Sequence, residues 1–388
     1  MDTAINLTSV YVSDLIGVAI LLIILFSRGW DLPARKDESR ILLALVSVSI
    51  LNCIADLIVF RFDGMPGMFN YCLLLTDNAY LYLYNVIIGV GTFYLIIKHI
   101  SHSSKGAYMV IFWIICVLEV VLLITNFFVP ILFSIDDNNM YQRERFYFLF
   151  VVLGFVLIIY AYAYYILNKI QNPSLRYFPV VQFLFPVLLG NVIQMNYYGI
   201  SLQPVSFAVA LAAVSISLQH ECLYIDKLTG VYNRYELDRA LQKRFMNNKI
   251  RVLAMMLDLN DFKAINDNYS HDEGDNALIA FAKILQDSVA NEGTVIRFAG
   301  DEFIVLVHKY KDMDPKLYAN RIRARINTYN EKSDKPYKLS TSIGGKVFDP
   351  SQDDYKDLLT QIDHLMYADK REFYKKHDRR DRRNSDKA

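Results

Sequence analysis

The carboxy-terminal half of the chain contains, at residues 293–307, the stretch GTVIRFAGDEFIVLV. Two runs of apolar and β-branched residues flank the short turn Ala299-Gly300, which is the pattern of a β-hairpin. Asp301 and Glu302 stand where the second strand of this hairpin begins. The stretch therefore predicts a sheet that carries two adjacent carboxylates at one end.

The surrounding sequence extends this sheet. Upstream, Val252–Leu257 is an apolar run with the length of a buried strand, and it ends at Asp258. Residues 276–290 predict a helix, Tyr337–Val347 a further strand, and 353–373 a final helix. This alternation predicts an α/β fold in which a layer of helices covers a sheet.

Asp258 and the pair Asp301-Glu302 are thus expected at neighbouring strand ends. Carboxylates in this arrangement are what the hard cation Mg²⁺ prefers, and bound Mg²⁺ is typical of phosphate substrates. Lys263, five residues beyond Asp258, is then within reach of a phosphate. Solvated turn residues are the alternative interpretation of the same carboxylates.

Residues 297–303, Arg-Phe-Ala-Gly-Asp-Glu-Phe, resemble the signature of the GGDEF family, the diguanylate cyclases. Four further segments resemble the family's other motifs in the right order: Asp226–Arg234, Asp258–Asp275, Ser342–Gly344 and Asp363–Lys370. The resemblance implies a GGDEF domain over 226–376, with a central sheet flanked by helices and related to the nucleotidyl cyclase palm.

The resemblance also implies a reaction, in which two GTP molecules condense to cyclic di-GMP and two pyrophosphates. Each domain would hold one GTP, so a homodimer through the cyclase domain and the membrane region is implied. Mg²⁺ or Mn²⁺ would be bound by Asp258, the Leu259 carbonyl and Asp301. By the same resemblance, Asp301, Glu302 and Lys263 are the expected catalytic residues.

The substrate contacts follow from the same resemblance. Asn266 and Asp275 match a pair that reads the guanine edge, which favours GTP over ATP. The remaining expected contacts to the nucleotide are made by Lys263, Lys370, Phe262 and the backbone of Gly300, a residue without a Cβ.

Two departures from the family pattern favour an alternative function. Ala299 replaces the first glycine of the signature, and a turn that needs positive φ tolerates alanine poorly. Tyr374 stands where the family often has a phosphate-binding arginine. The alternative is a degenerate domain that binds GTP or cyclic di-GMP and signals without catalysis. Asn260 and Ser270 also depart from common family residues, but neither removes a group with an assigned role.

A third departure concerns regulation. The family's inhibitory product site is an Arg-x-x-Asp five residues before the signature, and here those positions are Ala290 and Gly293. Both charges are absent, so we expect no product feedback of this kind.

Residues 1–220 have a different composition from the rest of the chain. They hold 11 of the 41 Lys and Arg and 12 of the 40 Asp and Glu. A stretch so poor in charge, with repeated apolar runs, is typical of a membrane region and excludes an ordinary water-soluble globule. We predict an all-α bundle of about seven spans, near 10–27, 41–60, 70–97, 108–133, 146–167, 178–195 and 203–220.

The orientation follows from the Lys and Arg in the short loops. Loops 28–40, 98–107 and 168–177 together hold eight, whereas the opposite side holds three, Arg61, Arg143 and Arg145. The N-terminus is therefore predicted outside a cell membrane and the cyclase domain in the cytoplasm.

Asp56, Asp77 and Glu119 lie inside predicted spans, where a charge is costly. They either line a pocket for an unidentified sensory ligand or hydrogen-bond between helices. A transporter is a weak alternative, because it leaves the soluble domain unexplained and no internal repeat is present.

Two short segments join and end these regions. Residues 221–225 form the predicted linker, which is short enough to transmit a movement of the last span. Residues 377–388 predict a basic disordered tail. Besides the lipid bilayer around the spans, anionic lipid headgroups are a candidate partner of this tail, and the interspersed acids argue against nucleic acid.

Overall fold

A computed structural model represents the 388-residue chain. It describes residues 7–33, 35–100, 107–171, 177–196, 200–246, 251–308, 313–349, 353 and 355–385. The chain divides into two compact units, Met1–Cys222 and Leu223–Ala388, and each unit has an apolar core of its own.

The described part of the first unit is helical apart from one small hairpin. Its helices are α1 (Leu7–Phe26), α2 (Lys36–Phe62), α3 (Met68–Ile100), α4 (Ala107–Asn126), α5 (Tyr147–Gln171), α6 (Val180–Asn196) and α7 (Gln203–Cys222). Among the described residues, six of these helices are long and apolar enough to cross a membrane, and α6, which contains Pro186, is shorter. The count of seven spans therefore stays a prediction.

The fourth helix ends earlier than the predicted span 108–133, and that boundary is wrong. The side-chain oxygen of Asn126 accepts hydrogen bonds from the backbone N–H groups of Ile131, Leu132 and Phe133, at 2.8, 2.7 and 3.2 Å. These bonds give hydrogen-bond partners to three backbone N–H groups where the chain turns away from the end of α4. An antiparallel hairpin follows, β1 (Phe133–Ile135) and β2 (Tyr141–Arg143).

Aromatic side chains fill much of the bundle interior. Tyr84 and Tyr162 are almost completely buried. The rings of Phe93 and Phe112 stack with their centroids 3.9 Å apart. These aromatic residues therefore pack helices together.

The predicted intramembrane acids differ in their surroundings. Asp56 of α2 accepts a 2.5 Å hydrogen bond from the hydroxyl of Ser201, which lies in the segment before α7. Glu119 is fully buried, and neither of its carboxyl oxygens has a hydrogen-bond partner among the described residues. One oxygen of Asp77 is likewise buried and unpartnered within that part of the chain.

The second unit is an α/β domain built on a five-stranded sheet in the order β3-β5-β6-β4-β7. β3 and β5 are parallel, and the other neighbours are antiparallel. The strands are β3 (Tyr232–Asn233), β4 (Val252–Leu259), β5 (Gly293–Ala299), β6 (Glu302–Val307) and β7 (Thr341–Phe348). The helices are α8 (Arg234–Met246), α9 (Phe262–Asn268), α10 (His271–Val289), α11 (Pro315–Lys332) and α12 (Tyr355–Ser385).

Strand β4 lies near the centre of the sheet and is buried on both faces. Its odd-numbered side chains from Leu253 to Leu257 join a core with α10 and α11. Its even-numbered side chains from Val252 to Met256 join a second core with α8 and α12. Helices therefore cover both faces of the sheet, which corrects the prediction of a single layer, because no face of β4 is polar.

Helix α12 packs closely on β7 and extends far beyond it. A Cβ at Gly344 would collide with the α12 backbone at Ile362 and Met366, so glycine allows the helix to approach. The helix continues to Ser385, whereas the sequence predicts a disordered tail from residue 377. No glycine or proline interrupts residues 355–385, so nothing in the sequence breaks the helix where the domain ends.

Candidate active site

The carboxylates predicted from the sequence meet at one end of the sheet. Asp258, the next-to-last residue of β4, lies directly opposite Glu302, the first residue of β6. The backbone N–H of Leu259 donates a 3.2 Å hydrogen bond to the backbone carbonyl of Asp301. The antiparallel register therefore places all three acidic residues beside one another.

Lys370 of α12 reaches this group from the adjoining helix. Its Nζ donates hydrogen bonds of 2.8 Å to both carboxylate oxygens of Asp258. Burial acts to lower the pKa of Lys370, but the hydrogen bond to Asp258, together with the negative charges of Asp258 and Asp301, raises the pKa overall. Burial raises the pKa of Asp258 in spite of Lys370, and the charge of Asp301 adds to the rise.

Negative charge is crowded around Glu302. Burial raises the pKa of its carboxyl, and the charges of Asp258, Asp301 and Asp363 raise it further. Within the described ranges, no three His, Cys, Asp or Glu side chains form a ready metal cluster. Neighbouring carboxylates that disfavour each other's charge nevertheless fit a divalent cation, provided that Lys370 releases Asp258.

The backbone of the hairpin turn shows whether Ala299 is strained at the position where the family has glycine. Gly300 has a φ of +47°, whereas Ala299 is absent from the described non-glycine residues with positive φ. An irregularity in the register lies between Arg297 and Ala299, and Ala299 pairs with Glu302. The left-handed position in the signature therefore belongs to Gly300, and Ala299 imposes no backbone strain.

Arg297 fixes this turn to the start of the domain. Its Nε donates to the Gly300 carbonyl at 2.9 Å, and its NH1 contacts the Asp226 carboxylate at 3.1 and 3.3 Å. Burial acts to raise the pKa of Asp226, but hydrogen bonds from Thr229 and the charge of Arg297 hold it below the usual value. The sequence contains Arg297 in the quoted signature, yet it gave no reason to assign this role.

The two residues predicted to read guanine lie close together in the chain's fold. A Cβ on Gly274 would collide with the side-chain amide of Asn266, so this glycine admits the Asn266 side chain beside α10. Asp275 is the next residue and is exposed. Ser270 caps α10 by accepting a 3.2 Å bond from the Glu273 N–H, which explains why serine serves at that position.

The other predicted contacts divide into exposed and packed side chains. Lys263, in the first turn of α9, is exposed beside the carboxylates' strand end. Phe262 is partly buried and packs against the core on the α10 side. Asn260 is buried, and its side chain forms hydrogen bonds with the hydroxyls of Ser340 and Ser342. These bonds connect the end of β4 with the start of β7.

Tyr374 occupies the position at which an arginine was expected. It is on α12, one turn beyond Lys370, and it interacts with Asp261. Burial raises the pKa of its hydroxyl, and the charge of Asp261 raises it further. The sequence signals the substitution but not this contact across the domain.

The fold leaves no room for an aspartate at Gly293, one of the two positions at which the family's inhibitory motif has a charge. A Cβ on Gly293 would lie 2.7 Å from the Leu306 carbonyl oxygen, so an aspartate does not fit without a backbone shift. Nearby, Glu292 accepts bonds from Tyr318 at 2.6 Å and Arg321 at 2.8 Å. The charged side chains next to Gly293, Glu292 and Arg321, are therefore bonded to each other.

Comparisons with known proteins identify the family of the second unit. Residues 223–376 match the family model described as "Diguanylate cyclase, GGDEF domain". The chain is 32% identical over 179 residues to the probable diguanylate cyclase DgcF of Escherichia coli K12, covering 44% of this chain and 56% of that protein. It is 30% identical over 206 residues to an uncharacterized membrane protein of Staphylococcus aureus USA300, covering 48% and 57% of the two chains.

The structure of the GGDEF domain of DgcB from Caulobacter crescentus in complex with c-di-GMP is 20% identical, with a TM-score of 0.35. That similarity covers 38% of this chain and 90% of that one. The first two curated relatives are matched over only 37% and 56% of their own lengths. Residues 223–376 are a GGDEF domain of the diguanylate cyclase type, and they follow a region with six described helices long enough to span a membrane.

Proposed function

We propose that this chain is a membrane-bound diguanylate cyclase that condenses two GTP molecules to cyclic di-GMP and two pyrophosphates. The observation that carries the proposal is the acidic strand end. Asp258 faces Glu302 across two strands, the Asp301 backbone is bonded to Leu259, and Lys370 is at the same point. This group combines anionic and cationic side chains suited to a metal-bound triphosphate.

The expected nucleotide position extends from this acidic group to α10. Asn266 and Asp275 would accept and donate along the guanine edge, which distinguishes GTP from ATP. Lys263 and Lys370 would bind phosphate oxygens, and Gly300 would allow the backbone to approach them. Once Lys370 binds phosphate it no longer pairs with Asp258.

Asp258, Asp301 and the Leu259 carbonyl would hold Mg²⁺ or Mn²⁺, which when bound supplies charge stabilisation for a phosphoryl transfer. Asp301 or Glu302 would take the proton from the attacking 3′-hydroxyl. Burial and the neighbouring carboxylates raise the pKa of Glu302, which makes its carboxylate a stronger base than a solvated one. Each domain offers one nucleotide position, so two copies of the chain must face each other to form a cyclic product.

The alternative is a domain that binds GTP or cyclic di-GMP without catalysis. Tyr374 favours it, because a neutral phenol beside Asp261 cannot replace a cation at a phosphate. Ala299 no longer favours it, because the backbone at that position is unstrained. The acidic group and its lysines favour the cyclase.

We further propose that the membrane region regulates the cyclase. Helix α7 ends at Cys222, and the GGDEF domain begins at the next residue, Leu223. Within the domain, Asp226 is joined through Arg297 to the Gly300 carbonyl. A rotation of α7 would therefore act on the segment that holds the signature turn, with the domain on the cytoplasmic side.

The test uses the full-length chain in nanodiscs, supplied with GTP and Mg²⁺. We expect cyclic di-GMP to form, and Asp301→Asn to reduce its formation by at least about 100-fold. Asp267→Asn, which removes an exposed carboxylate from α9, is the matched control and should leave the rate unchanged. Nucleotide binding without product would instead identify the binding module.

A further inference from the structure

A buried cluster of charged side chains lies in the first unit, where α2 begins and α3 ends. It consists of Arg35, which precedes α2, Glu38 in the first turn of α2, and His99 in the last turn of α3. Their exposed fractions are 5%, 5% and 2%. Charged side chains that are buried to this extent are stable only if their polar atoms have hydrogen-bond or ion-pair partners.

The partners within the cluster are few. Arg35 NH1 lies 3.5 Å from Glu38 Oε2 and 3.4 Å from His99 Nδ1, and His99 Nδ1 lies 3.3 Å from Glu38 Oε2. Arg35 Nε, Arg35 NH2 and His99 Nε2 are all buried and have no hydrogen-bond partner in the described part of the chain. Each such group destabilises the fold if nothing binds it, because it has lost its water without gaining a partner.

The unpartnered atoms of Arg35 form a specific shape. Nε and NH2 present two parallel N–H groups along one edge of the guanidinium, and this edge binds two oxygens of one carboxylate or phosphate. Arg35 also stands at the N-terminus of the 27-residue helix α2, where the backbone favours negative charge. An oxyanion is therefore the kind of group that this edge of Arg35 is suited to bind.

The charges of the cluster limit that oxyanion further. Arg35 and Glu38 cancel, so an added single negative charge is balanced only if His99 takes up a proton. A dianion would leave an uncompensated charge in a buried site. Phosphodiesters carry a single charge, and lipid headgroups place them at the level where membrane helices end.

We propose that Arg35 and His99 form a binding site for a singly charged phosphate oxyanion, carried by a lipid headgroup or free in solution. The site does not depend on the cyclase activity proposed above. The Arg35 Nε–NH2 edge binds two phosphate oxygens, and His99 contributes a charge when it is protonated.

The surroundings connect this site with α7. The Phe178 ring packs edge-on against His99 with centroids 5.2 Å apart, and the Phe178 N–H donates to the Tyr165 hydroxyl at 2.8 Å. Tyr165 in turn interacts electrostatically with Glu221 in the last turn of α7. Lys98, the residue before His99, pairs with Asp37 at the surface at 2.8 Å.

The experiment measures thermal unfolding of the full-length chain in a neutral detergent. The probes are dioctanoyl-phosphatidylglycerol and inorganic phosphate, with dioctanoylglycerol and potassium chloride at equal ionic strength as controls. We expect Tm to rise with a phosphate-containing probe and not with the controls. A rise with the phospholipid alone assigns the headgroup, and a rise with inorganic phosphate assigns a soluble anion.

Arg35→Lys is the decisive variant, because it keeps the positive charge but removes the two-pronged edge. We expect its apparent affinity for the effective probe to fall by about tenfold or more. Lys98→Gln, which removes an exposed neighbouring charge, should bind as the unaltered chain does. Equal responses of Arg35→Lys and the unaltered chain would overturn the proposal, as would no response of the unaltered chain to either phosphate probe.

A second measurement keeps the test informative if Arg35→Lys does not fold. The probe here is dioctanoyl-phosphatidylglycerol, because its phosphodiester keeps a single charge from pH 6 to pH 8. Its binding to the unaltered chain should take up a proton at His99, so the Tm rise should be larger at pH 6 than at pH 8. His99→Gln should abolish this pH dependence. A phosphate response that is independent of pH in the unaltered chain contradicts the role of His99 and the charge balance on which the site rests.

Discussion

Lys370 holds Asp258 by both carboxylate oxygens, with its Nζ 2.8 Å from each. Asp258 is 5% exposed, so this lysine supplies the cation that a buried carboxylate requires. The same carboxylate is the expected ligand of a divalent cation. A metal bound as proposed would therefore have to displace Lys370 from Asp258.

The competition predicts an effect of Lys370→Met on stability. Without metal, the variant should be less stable by about 1–3 kcal/mol, because Asp258 loses its charged partner. Adding Mg²⁺ should raise the Tm of the variant more than that of the unaltered chain. Lys375→Met, on an exposed position of the same helix, is the control, and equal Mg²⁺ responses in all three proteins would rule out the competition.

The hairpin turn predicts opposite tolerances at two adjacent residues. Gly300→Ala places a Cβ at a φ of +47° and should cost about 1–2 kcal/mol, together with most of the cyclic di-GMP formation. Ala299→Gly should change stability by less than about 1 kcal/mol. Thermal unfolding and product formation by the full-length variants check both effects. A severe loss in Ala299→Gly would mean that the methyl group itself has a function.

Local sequence pattern was enough to predict β4, the hairpin β5–β6 and the meeting of their carboxylates, because strand ends and turns depend on nearby residues. Local pattern gave wrong predictions where a structural feature depends on contacts between distant segments of the chain. The second helix layer depends on which face α8 and α12 choose, and the end of α4 depends on the Asn126 side chain bonding residues beyond Pro130. The contacts of Arg297 with Asp226 and of Tyr374 with Asp261 join segments about 70 and 110 residues apart, which no local pattern encodes.

The pair of Asp226 and Arg297 predicts a pH-dependent contribution to stability. The pKa of Asp226 is lowered in the folded chain, so its contribution is present above the ordinary value of 3.8 and is lost as the pH falls through the lower folded value. At pH 7, Asp226→Asn should be less stable by about 1–2 kcal/mol. Unfolding measured from pH 7 to pH 3 should show this difference closing only below about pH 4, and a difference that closes near pH 6 would implicate another group.

The absence of both motif charges, at Ala290 and Gly293, and the Leu306 carbonyl close to Gly293 predict that product does not inhibit through a second site. Micromolar cyclic di-GMP should leave the initial rate of the full-length chain unchanged. Introducing Ala290→Arg and Gly293→Asp together should fail to create inhibition and should lower Tm, because the Leu306 carbonyl occupies the space required by the new side chain. Isothermal titration of product that finds tight binding outside the active cleft would contradict this prediction.

The direct passage from α7 to the GGDEF domain predicts a helical dependence on inserted length. Each alanine inserted after His220 rotates the GGDEF domain relative to α7 by about 100°, so one, two and three insertions turn the domain away and four bring it back within about 40°. Cyclic di-GMP formation should therefore be lowest with two insertions and should recover with four. The same insertions after Gly64, between α2 and α3, control for general disruption of the bundle. Equal activity across the series after His220 would mean that the domain does not sense the rotation of α7.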